Sequence, residues 1–144
     1  MNARADFYLI GKPRFREQPL LLVCELARKA SDHGQPLLVL CASAAQAEEL
    51  DDLLWSFDPD AYVPHQIVGT DEDGDEADVP VLIAAPEHDV PLRPLVLNLR
   101  EDAVPGGFER VLEVVPADES ARGPLRERWK QYQARGLAVN KHDM

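Results

Sequence analysis

The run Leu37-Leu-Val-Leu-Cys41 has no polar side chain in five consecutive positions. A strand with one face in water alternates apolar and polar residues, so an unbroken run of this length predicts a strand covered on both faces. Val81-Leu-Ile-Ala84 and Leu95-Val-Leu-Asn-Leu99 repeat the pattern. Asp6-Phe-Tyr-Leu-Ile10 reads as a first strand rich in β-formers, and residues 111–115 read as the final one. Between the first two strands, Leu22, Val23, Leu26, Ala27 and Ala30 recur at spacings of three and four, which predicts a helix over 19–33 stopped by Gly34. Ser43 opens a second helix as its N-cap, with Gln46 completing a capping box. Its inward stripe is Ala47, Leu50, Leu53, Leu54 and Phe57. Buried strands alternating with helices imply an α/β fold, a three-layer sandwich around a largely parallel sheet.

With 144 residues and no internal repeat or low-complexity linker, the chain reads as one domain over 1–144. Pro59 and Pro64 keep residues 58–69 extended or looped, and residues 70–78 read as an acidic loop. A basic helix is expected after the final strand. No apolar run approaches the ~18 residues that span a bilayer, and residues 1–11 lack a signal-type pattern. Cys24 and Cys41 are too few for a disulfide framework and read as reduced core thiols. The expected location is the cytoplasm.

A fold of this class suits nucleotide chemistry, but the motif for it is missing. A phosphate loop should follow the first strand as glycine-rich backbone whose free N–H groups meet phosphate. The chain has Gly11-Lys12-Pro13 there and no G-x-G anywhere. His33, His65, His88 and His142 show no metal-ligand spacing. The acidic stretch Asp71-Glu-Asp-Gly-Asp-Glu76 lacks the glycine and glutamate positions of a calcium loop. Ser43 has no G-x-S-x-G context and reads as a helix cap. The expectation is no catalytic residue, no metal and no cofactor.

Fifteen Lys and Arg against 26 Asp and Glu give a net charge of −11. Residues 120–144 carry six cations and two acids, so the tail segment is +4 on a body of −15. The body repels a phosphate backbone at long range, and the tail is a candidate site for an anionic partner.

Two aromatic positions stand off the predicted core. Trp55 lies roughly 130° from the centre of its helix's apolar stripe. Either a partner covers it, as Trp favours interface hot spots, or the following residues fold back over it. Tyr62, Val63 and Pro64 join that patch in both cases. In the basic helix, Arg122, Arg126 and Trp129 are spaced i, i+4 and i+7, with Lys130 flanking and Leu125 and Tyr132 turned inward. Cations bordering an indole suit an acidic peptide with an apolar end; single-stranded DNA is the rival ligand. Gly123-Pro124 either kinks this helix or sets its start, and a start at Pro124 would leave Arg122 in the preceding turn.

In order, Asp6-Phe-Tyr-Leu, Leu50-Asp-Asp-Leu-Leu-Trp55, Val63-Pro-His65, Leu97-Asn-Leu99 and Arg126-Glu-Arg-Trp-Lys-Gln-Tyr132 before Gly136 resemble the chi subunit of bacterial DNA polymerase III holoenzyme. The resemblance implies a nucleotide-binding-like α/β fold without nucleotide chemistry, in an accessory subunit of the clamp-loader assembly. It implies that Trp55, Tyr62, Val63 and Pro64 bind the psi subunit, a surface that a helicase-like repair protein shares in some members. It also implies that Arg126, Trp129, Arg122 and Lys130 bind the acidic, Phe-ended C-terminal tail of single-stranded DNA-binding protein. Gly123-Pro124 departs from family members with an uninterrupted helix. A nucleotide-binding enzyme and a direct single-stranded DNA binder are the alternatives.

Overall fold

A computed structural model describes residues 3–69, 78–88 and 90–144. The acidic stretch 71–76 lies outside the described residues. The elements are β1 (Arg4–Leu9), α1 (Pro13–Glu17), α2 (Leu20–Asp32), β2 (Leu37–Leu40), α3 (Ala44–Ser56) and β3 (His65–Ile67). They continue with β4 (Val81–Ala84), β5 (Leu95–Asn98), β6 (Arg110–Val115), α4 (Arg122–Ala134) and β7 (Ala138–Asp143). All strands are parallel, in the order β3-β4-β2-β5-β6-β1-β7.

The unbroken apolar runs form the centre of the sheet: β2, β4 and β5 are buried at every position. Alternate side chains enter two separate cores. Leu37, Val39, Ile83 and Leu97 pack under α2 and α3 on one face. Leu38, Leu40, Val96 and Phe7 pack on the other, where α4 contributes Tyr132, Leu125 and Trp129. Among the described residues α4 is the α-helix on that second face, and Leu92, Val104 and Phe108 from the strand connections pack beside it. Helix α2 ends where expected, with Gly34 in the left-handed region at φ 67°. Ser43 caps α3 by accepting from the Gln46 N–H at 3.1 Å. The Gln46 side chain reaches one residue further back than in a capping box and accepts from the Ala42 N–H.

Three elements depart from the sequence reading. Helix α1 is a single short turn with Pro13 at its start. Strand β3 arises inside the stretch read as extended or looped, and it pairs with β4 at one sheet edge. Strand β7 replaces the expectation that the chain ends after a basic helix. Its Ala-Val-Asn-Lys-His-Asp sequence is mostly exposed, so no apolar alternation marks it. Its register comes from β1, whose free backbone groups it pairs with from Arg4–Ala138 to Leu9–Asp143.

Candidate functional site

Helix α3 buries Ala47, Leu50 and Leu54, while Leu53 and Phe57 pack at the margin of the core. Trp55 follows Leu54 by one residue, about 100° round the helix, and so turns outward with 60% of its surface exposed. The chain then turns at Asp58, whose carboxylate accepts from the Asp60 N–H and from Arg28 of α2. This turn brings Tyr62, 72% exposed, to a ring separation of 6.3 Å from Trp55. His65 lies beneath, its ring 4.7 Å from Trp55. Its Nδ1 is 2.6 Å from the Val63 carbonyl, and its Nε2 is 3.1 Å from the Asp51 carboxylate. Segment 61–65 therefore flanks Trp55 without covering it. Trp55 and Tyr62 are the exposed large hydrophobic side chains among the described residues.

The structure corrects one member of this patch. Val63 is 2% exposed and belongs to the core under α3. Extended backbone alternates its side chains, so with Tyr62 outward Val63 must turn inward. Pro64 is half-buried at the rim.

At the opposite end of the chain, a 3-10 turn over Glu119–Ala121 leads into α4, which begins at Arg122. Pro124 is its third residue, within the first turn, where the backbone N–H has no intrahelical partner. The proline therefore neither kinks the helix nor delays its start. Arg122 and Arg126 share one helix and one face, and both are exposed, as is Lys130. Trp129 is half-buried and rests on Phe7 of β1 at a ring separation of 5.0 Å. It forms a fixed apolar wall beside the cations.

Arg128, on the same helix, does the opposite. It is 7% exposed and its Nε donates to Glu113 Oε1 at 2.9 Å. Glu113 also accepts from Asn98 at 2.9 Å and from the Tyr132 hydroxyl at 2.7 Å. This network escaped the sequence reading. The available signal was a lone glutamate within the apolar run Val111-Leu-Glu-Val-Val115.

The place where a phosphate loop would stand is filled by the chain itself. The backbone N–H groups of Gly11 and Lys12 both donate to a main-chain oxygen of Met144. A cavity of about 480 Å³ opens beyond the ends of β5 and β6, bordered by Leu20, Val23, Arg100 and Pro124. Arg100 donates to the Cys41 and Ala84 carbonyls there, closing the ends of β2 and β4. Among the described residues, no group of three or more His, Cys, Asp and Glu side chains is placed to hold a metal ion. No described helix is long and apolar enough to cross a membrane.

Comparison with known proteins assigns this arrangement to a family. The fold resembles the C-terminal domain of the DEAD-box protein Dbp5, with a TM-score of 0.66 at 12% identity over 99% of this chain and 91% of that one. That likeness is one of fold alone. The DNA polymerase III subunit chi of Pseudomonas aeruginosa is 35% identical over 144 residues, covering 96% of this chain and 95% of its own. The chi subunit of Escherichia coli is 32% identical over 122 residues, covering 83% and 81%. That of Haemophilus influenzae is 31% identical over 119 residues, covering 80% of each chain. The family model for the DNA polymerase III chi subunit, HolC, matches residues 2–140. The chain therefore belongs to the DNA polymerase III chi subunit family, accessory subunits of DNA replication.

Proposed function

We propose that this protein is a tether with no active site of its own. One surface, Trp55 with Tyr62 and Pro64, binds the psi subunit of the clamp loader. The other, Arg122, Arg126 and Lys130 beside Trp129, binds the acidic, Phe-ended C-terminal tail of single-stranded DNA-binding protein. The observation that carries the reading is the pair of exposed rings at 6.3 Å, Trp55 and Tyr62, in a protein whose other large aromatics pack inward. Clustered exposed aromatics mark surfaces that a partner desolvates. The basic face of α4 supports the second contact: guanidinium groups grip carboxylates, and the Trp129 wall offers an apolar seat.

The two contacts reinforce each other, because engaging one makes the second effectively intramolecular. A helicase-like repair protein competing with psi would use the same Trp55 surface. The setting is the cytoplasmic replisome, with DNA reached only through the coating protein.

Titration of a labelled Phe-ended acidic peptide tests the tail contact. A charge-assisted pair is worth about 1.5–3 kcal/mol, so Arg126→Ala should weaken binding roughly tenfold to a hundredfold. Unchanged binding by Arg126→Ala would overturn this half of the tether. Naked oligonucleotide bound with a steep salt slope would favour a direct DNA binder instead.

A further inference from the structure

We propose that the cleft between α2 and the β6-β1-β7 edge, lined by Tyr8, Lys29, Arg110 and His142, binds the phosphate group of a small phosphorylated ligand. This cleft lies on the sheet face opposite α4. Tyr8 belongs to the core under α2, whereas its neighbour Phe7 packs against Trp129 on the other side. In the parallel register, Tyr8 stands opposite His142, and their rings stack at 4.8 Å. Helix α2 supplies the facing wall through Lys29 and His33. The cavity measures about 510 Å³, within the range of sites for nucleotide-sized molecules.

Its chemistry is donor-rich and acceptor-poor. Asp6 is buried and is not among the residues that line the cavity, and its two oxygens are taken: Oδ2 by Arg110 at 2.6 Å and by Arg4 at 3.4 Å, Oδ1 by His142 at 3.1 Å. Arg110 also donates to the Tyr8 hydroxyl at 2.9 Å. That leaves three guanidinium N–H groups of Arg110 without an acceptor among the described residues. The Tyr8 O–H is another such donor, since the hydroxyl accepts from Arg110 and has no acceptor for its own proton there. Burial pushes the Tyr8 hydroxyl up from its ordinary value, so the proton stays on. The Lys29 ammonium forms no ion pair among the described residues. No acidic side chain lines the cavity; Met144 also borders it, with a main-chain oxygen that accepts from the Gly11 and Lys12 N–H groups. Glu25, nearby on α2, is committed to Arg14 and Arg28.

A concave site with surplus N–H and O–H donors, bordered by the Lys29 and Arg110 cations on a chain of net charge −11, attracts anions locally. Guanidinium, ammonium and phenol donors from separate elements can serve more than two acceptor oxygens. That favours a phosphate group over a carboxylate. Occupancy would leave both the Trp55 patch and the α4 face open.

Isothermal titration of the full chain with pyrophosphate, and in parallel with adenosine monophosphate, tests this. Saturable binding of either is expected; the two arms tell a free phosphate from a phosphate ester. Tyr8→Phe keeps the ring stack and removes the donor, and Lys29→Met removes an exposed charge. Each should weaken binding about tenfold or more, while Arg126→Ala on the opposite face should leave it unchanged. If circular dichroism shows Tyr8→Phe misfolded, Lys29→Met decides. No saturable binding at millimolar ligand, or equal binding by the variants and wild type, overturns the site. So does glutarate binding as tightly as pyrophosphate, or loss of binding in Arg126→Ala.

Discussion

Glu113 of β6 accepts a hydrogen bond from the Tyr132 hydroxyl of α4 at 2.7 Å, and neither side chain is exposed at all. The same hydroxyl accepts from the Val104 N–H at 3.0 Å, and Asn98 joins Glu113 to the Asp102 carbonyl. Arg128 completes the set through Glu113 and the Glu101 carbonyl. The helix bearing Arg126 and Trp129 is thereby bolted to the sheet by polar groups, each of which has a partner. Burial pushes the Glu113 carboxyl above its ordinary value, outweighing the Arg128 charge and the hydrogen bonds from Asn98 and Tyr132. Burial and then the Glu113 charge push the Tyr132 hydroxyl up as well, which keeps it a donor.

Breaking this network should cost more than its solvent-exposed counterparts. Glu113→Ala leaves Arg128 buried and unpaired, and removal of one partner of a buried pair costs about 3–5 kcal/mol. Tyr132→Phe strands the Val104 N–H and one Glu113 contact, for about 1–3 kcal/mol. Urea unfolding measures both. Because the groups share partners, the double variant should lose less than the sum of the singles. A Glu113→Ala protein as stable as wild type would show that the network does not hold α4.

Asp6 should govern part of the acid limb of stability. Burial alone would raise its pKa, but hydrogen bonds from His142 and Arg110 and the charges of Arg110 and Arg4 hold it below the ordinary 3.8. A depressed folded-state value contributes stability above the unfolded-state pKa, lost as pH falls through the folded-state one. Glu113 acts in the opposite sense: its raised value favours the fold below the ordinary 4.5 and loses that contribution as pH rises through the folded-state value. Asp6→Asn should therefore be less stable than wild type at neutral pH, and the gap should narrow below about pH 4. Urea midpoints across that range measure it.

Trp55 and Val63 should separate cleanly. Trp55→Ala removes an exposed ring, so thermal unfolding should shift little while psi binding is lost. Val63→Ala empties a core position and should cost about 2 kcal/mol. An unfolded Trp55→Ala protein, read by circular dichroism, would mean that the indole supports the fold.

Both thiols should be silent in the native state. Cys24 and Cys41 are buried. Burial first pushes both up to about 12, the Glu25 charge adding to the rise at Cys24 and the Arg100 charge opposing it at Cys41. A thiol-disulfide reagent should label neither until denaturant is added. Fast native labelling of either would contradict the burial.

One-dimensional pattern was enough to foresee several elements. Unbroken apolar runs became β2, β4 and β5, the spacing of Leu22 to Ala30 became α2, and Ser43 became a cap, because each rests on contacts along a short stretch of backbone. It also turned Trp55 outward, since helix geometry alone separates it from Leu50 and Leu54. Other features depend on contacts between residues distant in the chain. β7 exists because β1 offers it a free edge, not because its polar residues favour a strand. Val63 is core because the turn pinned by Asp58 and Arg28 sets which way the next residues alternate. Arg128 is inside and Arg126 outside although both are arginines two residues apart, because a carboxylate on β6 waits beneath only one of them. A charge is buried only where its partner lies, and that partner is distant in the chain.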